Sequence, residues 1–204
     1  YLWYRGYSRI DHILATHADA DHIQGLTDVA KNFSIGSAVF GRMPADDPDY
    51  AELADVLRRR GIASANLFRG DVLEFGNVLV DVLYPVGFDP SNAVSENDNS
   101  VVLLIRYGSR KFLLTGDIER RAESELVSET LAADVVKVPH HGSRTSSTQP
   151  FIDAVRAKYA IISVGRTSPF GHPHADVVDR WKASGAEVMT TGERGTISVS
   201  SDGR

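Results

Sequence analysis

The sequence predicts an α/β protein with mixed sheets. Three observations carry that expectation. Segments of strand character, Asp11–Ala15, Asp134–Val138 and Tyr159–Val164, are each followed along the chain by a segment with helical spacing. Two hairpin signals, Gly76-Asn77 and Gly108-Ser109, interrupt the alternation and call for antiparallel pairing. No repeat, low-complexity tract or linker divides the 204 residues, so one domain over 1–204 is expected.

The elements follow in order. Asp11–Ala15 is a strand feeding a loop at Thr16–His22, and Gly25–Asn32 is a helix. Ala38–Phe40 is a short strand before the turn-rich Pro44–Pro48. Tyr50–Arg60 places Leu53, Val56 and Leu57 at helical spacing and stops at Gly61. Val72–Pro85 is a hairpin with alternating Val78, Val80 and Val82. Asn99–Tyr107 and Lys111–Thr115 form a second hairpin, apolar enough to be buried on both faces. Then come a helix at Glu119–Leu131, a strand at Asp134–Val138 and a helix at Pro150–Lys158. A strand at Tyr159–Val164, a helix at Asp176–Ser184 and strands at Glu187–Thr191 and Thr196–Ser200 close the chain. The long irregular stretch Gly87–Asp98 is expected to be a functional loop.

Composition removes whole classes of function. With 42 % apolar residues and a net charge of -5, the chain is an ordinary globular protein, unsuited to general adhesion to nucleic acid or anionic membrane. There is no cysteine, which excludes disulfides, cysteine nucleophiles, iron–sulfur clusters and thiolate zinc sites. The longest apolar run, Val101–Ile105, is far short of a membrane span. The opening Tyr1-Leu-Trp-Tyr-Arg-Gly lacks the basic start and apolar stretch of a secretory signal.

Chemistry concentrates at four strand ends, where α/β folds build their sites. Thr16-His17-Ala18-Asp19-Ala20-Asp21-His22 sets four metal-competent side chains directly after a strand. If extended, it would point His17, Asp19 and Asp21 to one side and His22 elsewhere, serving two neighbouring ions. Leu113-Leu114-Thr115-Gly116-Asp117 delivers a carboxylate at a strand end, able to bridge two ions or to cap the next helix. Val138-Pro139-His140-His141-Gly142-Ser143 presents two imidazoles. Phe170-Gly171-His172-Pro173-His174 adds two more, of which His174 is the better candidate for a ligand, an acid or a substrate contact. His12, inside the first strand, is structural. Imidazole and carboxylate ligands without sulfur suit zinc or manganese.

These residues resemble a known family. His17-x-Asp19-x-Asp21-His22 is similar to the HxHxDH signature of the metallo-β-lactamase superfamily, with Asp19 in place of the second histidine. More narrowly, THADADHIQGL, ENDNSVVLLIRYGSRKFLLTGDIE, VKVPHHGSRTS and FGHPHADVVDRW resemble the metallo-β-lactamase-like domain of ComEC competence proteins, from about Tyr4 to Gly203. The resemblance implies an αββα four-layer sandwich with mixed sheets and two divalent ions, manganese or zinc. His17 and Asp19 would serve one ion and Asp21 and His22 the other. Asp117 would bridge, and one of His140 and His141 would complete the second ion's shell. The superfamily's histidine between these motifs has no match here, so Asn97 or Asn99 is expected to take its place or to bind substrate. The family also begins with strands ahead of the first motif, so the chain is expected to be amino-terminally truncated and to lack its first strands.

The expected activity is phosphodiester hydrolysis of DNA, degrading the strand that is not imported. Asp21 or Asp117 would orient the attacking water, and His141 or His174 would protonate the leaving oxygen. Ser143, Arg144 and Thr145 would hold phosphate oxygens. Arg58-Arg59-Arg60 could contact phosphates, but a favourable helix end explains it better. The implied partners are DNA and the membrane channel portion of the same protein, on the extracytoplasmic face of a bacterial membrane. Two rivals stand beside this. One is hydrolysis of a small phosphodiester or thioester on the same scaffold. The other is a catalytically weak module that guides DNA.

Overall fold

In the computed structural model, which describes residues 1–87 and 95–204, the chain divides into two units at Leu67. The first unit, Tyr1–Leu67, alternates strand and helix. Strand β1 is Arg9–Ala15, helix α1 Ala20–Asn32, β2 Ser34–Phe40, α2 Pro48–Arg59 and β3 Ala63–Asn66. The three strands form a parallel sheet in the order β1-β2-β3. Helix α1 buries Ile23, Thr27 and Ala30, the spacing of one helical face, and α2 buries Leu53 and Leu57. Ile23, Ala30, Leu53 and Leu57 share one core with Ile13, Ile35, Ala38 and Phe40. Asp47 starts α2 by accepting the Tyr50 N–H at 2.7 Å, with Pro48 in the first turn.

Strand β2 starts four residues before the expected Ala38. Gly36 hides its beginning from a propensity argument, yet a Cβ there would stand 2.4 Å from the Asp11 carbonyl oxygen. The close approach of β1 and β2 requires glycine. Strand β3 was not expected at all: its Ala-Ser-Ala-Asn is exposed throughout and carries no apolar alternation.

The second unit, Phe68–Arg204, holds a seven-stranded mixed sheet. Its strands are β4 (Val72–Phe75), β5 (Val78–Tyr84), β6 (Val102–Tyr107), β7 (Arg110–Leu114), β8 (Val135–Lys137), β9 (Tyr159–Ile162) and β10 (Glu187–Thr190), in the order β10-β9-β8-β7-β6-β5-β4. Strands β4 to β7 pair antiparallel through the two expected hairpins, and β7 to β10 pair parallel. Val102, Leu103 and Leu104 of β6 are all buried, as their continuous apolar run required. Helices α3 (Arg120–Leu126), α4 (Gln149–Val155) and α5 (Ala175–Ala183) supply Leu126, Phe151, Ile152, Val177 and Trp181 to one core with Leu113, Val136 and Ile162 of the sheet.

In this unit too, boundaries differ from expectation. Helix α3 stops at Leu126 rather than Leu131, and the buried Leu131 packs into the core from outside the helix. Helix α4 stops at Val155, because Arg156 takes a left-handed conformation and the Lys158 N–H donates to the Asp134 carbonyl. Thr196–Ser200 is not a strand: a short helix α6, Thr191–Arg194, follows β10 and ends at left-handed Gly195. Of the irregular stretch Gly87–Asp98, residues 88–94 lie outside the described residues.

Candidate metal centre

In the first unit, β1 ends at Ala15 and α1 begins at Ala20. The expected extended loop is therefore shorter, and Asp21 and His22 lie in the first helical turn. Asp19 is the reason: its carbonyl accepts the N–H groups of His22 at 2.8 Å and Ile23 at 3.1 Å, which starts the helix. Asp21 in that turn complements the positive helix end. Helical winding brings His17 and His22 together, with ring centroids 4.2 Å apart, where an extended chain would part them. His17 Nε2 is 3.5 Å from Asp19 Oδ2, and His22 Nε2 is 3.7 Å from Asp21 Oδ2. His17 Nδ1 meets Thr16 Oγ1 at 2.9 Å, which turns Nε2 to the ligand side. All four expected ligands of this unit stand in one cluster.

In the second unit, β7 runs into Thr115-Gly116-Asp117. Gly116 has a positive φ of 53°, which turns the chain and sets Asp117 at the strand end, 2 % exposed. The Asp117 N–H donates to Ser100 Oγ at 3.0 Å. Lys137 of β8 donates from Nζ to Asp117 Oδ1 at 2.7 Å and to the Gly116 carbonyl at 2.5 Å. On the other oxygen, Oδ2 stands 3.0 Å from His141 Nε2, while His141 Nδ1 donates to the Ser163 carbonyl at 2.6 Å.

That arrangement tests whether a divalent ion fits. A carbonyl can only accept, so Nδ1 carries the proton, and the neutral ring points its Nε2 lone pair at a carboxylate oxygen. Two electron-pair donors 3.0 Å apart need a cation between them, a proton or a metal. The Asp117 hydrogen bond raises the His141 pKa. A donor set of nitrogen and oxygen fits a hard or borderline divalent ion.

His140 does something else. Its Nδ1 donates to Glu119 Oε1 at 3.1 Å, with Thr145 Oγ1 at 3.4 Å. The two histidines face different carboxylates: His141 faces Asp117 and His140 faces Glu119. Both have left-handed backbones, with φ of 45° and 52°, and Gly142 continues at 80°. Left-handed residues other than glycine carry strain of about 1–2 kcal/mol each. The surroundings hold them there. A Cβ on Gly142 would lie 2.8 Å from Pro173 Cβ, and the His174 N–H donates to the Gly142 carbonyl at 3.0 Å.

The Asn97-Asp98-Asn99-Ser100 segment fastens the Asp117 loop. Asp98 Oδ1 accepts the N–H groups of Glu119 at 2.7 Å and Ala122 at 3.3 Å, capping α3 from outside. Burial lifts the Asp98 carboxyl above the usual range. Asn99 bonds within its own turn, to the Ser95 carbonyl at 3.2 Å, and the Asn97 Oδ1 is buried without a hydrogen-bond partner. Of the two asparagines, Asn97 therefore keeps an acceptor to offer.

Ser143 is buried and its Oγ bonds to Thr145, at 2.9 Å to the hydroxyl. Arg144 is exposed and pairs with Asp176 at 3.1 Å. His172, not His174, lies beside both members of the histidine pair, with centroids 5.5 Å from His140 and 6.5 Å from His141. Burial and the neighbouring imidazoles push its pKa down. His174 caps α5, its ring 5.2 Å from that of His172. His12 bonds Ser37 Oγ between β1 and β2 at 2.8 Å, a structural task. Arg58 and Arg59 pair with Asp55, and Arg60 donates to the carbonyls of Ala30 and Phe33 at the end of α1. Lys137, Asp98, Ser100 and Glu119 were missed in the sequence because their roles arise from strand pairing and long-range contacts.

The family model described as "Metallo-beta-lactamase superfamily" matches residues 1–166. ComE operon protein 3 of Bacillus subtilis (strain 168) is 33 % identical over 199 residues, which is 97 % of this chain and 25 % of that protein. Competence protein ComA of Neisseria gonorrhoeae is 29 % identical over 195 residues, 94 % of this chain and 25 % of that one. The chain spans about a quarter of the length of these curated relatives. Among solved structures, the metallo-beta-lactamase fold protein YhfI from Bacillus subtilis has a TM-score of 0.52 at 14 % identity, covering 89 % of this chain and 75 % of that one. The likeness to YhfI concerns the fold.

Proposed function

Because this chain belongs to the metallo-beta-lactamase superfamily and has its mixed-sheet α/β fold, we propose that it is the metal-dependent DNA phosphodiester hydrolase domain of a competence DNA-import protein. It degrades the strand that is not imported. The observation that carries the reading is the His141–Asp117 pair, in which a carbonyl-anchored imidazole aims its second nitrogen at a buried carboxylate. The competence names of the relatives supply the substrate. No helix among the described residues is long and apolar enough to cross a membrane. The membrane channel belongs to the remainder of the protein, and this domain works on the extracytoplasmic face.

The proposed ligands for divalent ions, manganese or zinc, are His17, Asp19, Asp21 and His22 in the first unit and, taken separately, Asp117 and His141 in the second, with Asn97 of the second unit offering its side-chain carbonyl. Bound ions acidify water and neutralise charge growing on the non-bridging phosphate oxygens. The chain's own groups do the rest. Asp21 accepts a hydrogen bond from the attacking water and orients it in line with the leaving oxygen. His140, backed by Glu119, carries the proton for that oxygen, and His172 and His174 wall the imidazole cluster. Ser143, Arg144 and Thr145 steady the phosphate, once Arg144 exchanges Asp176 for it.

The test is cleavage of linear DNA across manganese, zinc and magnesium, set beside bis-p-nitrophenyl phosphate and a thioester. DNA cleavage that disappears in Asp117→Ala is expected. Turnover of the small esters alone moves the assignment to another hydrolase on this scaffold. No metal uptake and no cleavage moves it to a DNA-guiding module.

A further inference from the structure

We propose that Lys137 is the resident cation of this centre, holding Asp117 in the metal-free protein and lowering its affinity for divalent ions. The inference rests on the metal-centre reading above. Asp117 has 3 % of its side chain exposed, and an ionised carboxylate in that position needs a positive partner. Lys137 is fixed to supply one. Its backbone lies opposite Leu114 on β7, and its carbonyl accepts the Thr115 hydroxyl at 2.8 Å. Its Nζ is shared between Asp117 Oδ1 and the Gly116 carbonyl.

The same geometry leaves Oδ2, on the His141 side, as the oxygen turned toward an incoming ion. An ion bound there faces a fixed ammonium across the width of one carboxylate group. Two effects compete. Holding a ligand in place favours binding, and losing an outer partner commonly costs about 10–100-fold in affinity. Like-charge repulsion opposes binding. Here the carboxylate stays anchored without the lysine, because the Asp117 N–H is bonded to Ser100 and the loop is pinned through Asp98. Orientation is over-determined, so repulsion wins. Removing the ammonium tightens metal binding, the opposite of what an ordinary supporting residue does.

The experiment is calorimetric titration of manganese into metal-stripped wild type, K137Q, K137R and D117N, with thermal unfolding of each metal-free protein. K137Q is expected to bind about tenfold tighter or more and to unfold about 3 °C lower or more without metal. K137R, which keeps the charge, stays within about threefold of wild type. The double variant K137Q/D117N, neutral at both places, recovers the lost thermal stability. K137Q binding as wild type does, or more weakly, overturns the proposal, and so does a double variant no more stable than K137Q. Wild type that takes up no divalent ion fails the metal-centre reading itself, which these variants do not decide.

Discussion

Glu123 of α3 holds Ser147 in a conformation that serine seldom adopts. Its Oε1 accepts the Ser147 N–H at 2.5 Å and its Oε2 the Thr148 N–H at 2.8 Å, while Ser147 has a φ of 58°. Trp181 Nε1 donates to Ser147 Oγ at 3.1 Å from α5. One carboxylate thus ties three helices together behind the histidine turn.

Glu123→Gln should destabilise the protein by about 1–3 kcal/mol. The amide offers one oxygen to two backbone donors and leaves a buried N–H unsatisfied. Urea unfolding at neutral pH measures it; an unchanged midpoint refutes this account of the carboxylate.

The same residue gives a pH signature. Burial raises the Glu123 carboxyl above its usual range. The folded state then binds the proton more tightly than the unfolded chain. Between the ordinary and the raised value the fold holds more protons, so this contribution to stability falls as pH rises through that window. Unfolding free energies followed upward from mildly acidic pH should drop more steeply for wild type than for Glu123→Gln. Parallel profiles would contradict the assignment.

His141→Ala and His140→Ala should separate. The first loses metal, because its Nε2 faces Asp117, and the second keeps metal but loses rate, because its partner is Glu119. Metal content by mass spectrometry beside cleavage rate distinguishes them. Chelation should abolish cleavage in wild type, and manganese or zinc should restore it. Equal metal loss in both variants would place both imidazoles in the coordination shell.

Gly142→Ala should cost about 1–2 kcal/mol for left-handed backbone alone, and more for the collision with Pro173. Cleavage should fall with it, since the turn aims both histidines. A variant of wild-type stability and rate would show the turn to be pliable.

Arg60→Ala should cost about 1–3 kcal/mol by stripping the Ala30 and Phe33 carbonyls of a charged donor. Arg58→Ala and Arg59→Ala should leave DNA affinity and its salt dependence unchanged, because these side chains already serve Asp55. A shallower salt slope would return them to the DNA-binding surface.

The candidate ligands stand out in the sequence because their signals are local. A strand ending in Gly116-Asp117, or in Pro139-His140-His141, announces itself within a few residues. What was not legible depends on partners distant in sequence. Lys137 reads as an ordinary strand lysine until β8 is laid beside β7. Asp98 reads as the end of an irregular stretch and Ser100 as a strand residue, yet they fasten the backbone of Glu119, Ala122 and Asp117. The fold was legible where apolar spacing was strong, as in α1, α2 and β6. It failed at β3, whose small polar residues carry no alternation, and at Thr196–Ser200, whose alternation belongs to a segment outside the sheet.

The backward twist of the chain at His140 and His141 also sets what could ever replace them. Glycine, asparagine, aspartate and histidine tolerate that backbone, whereas valine, isoleucine and threonine do not. Any attempt to retune the centre's ion preference here has a vocabulary of very few amino acids, and random libraries at these two codons should yield folded protein chiefly from that short list.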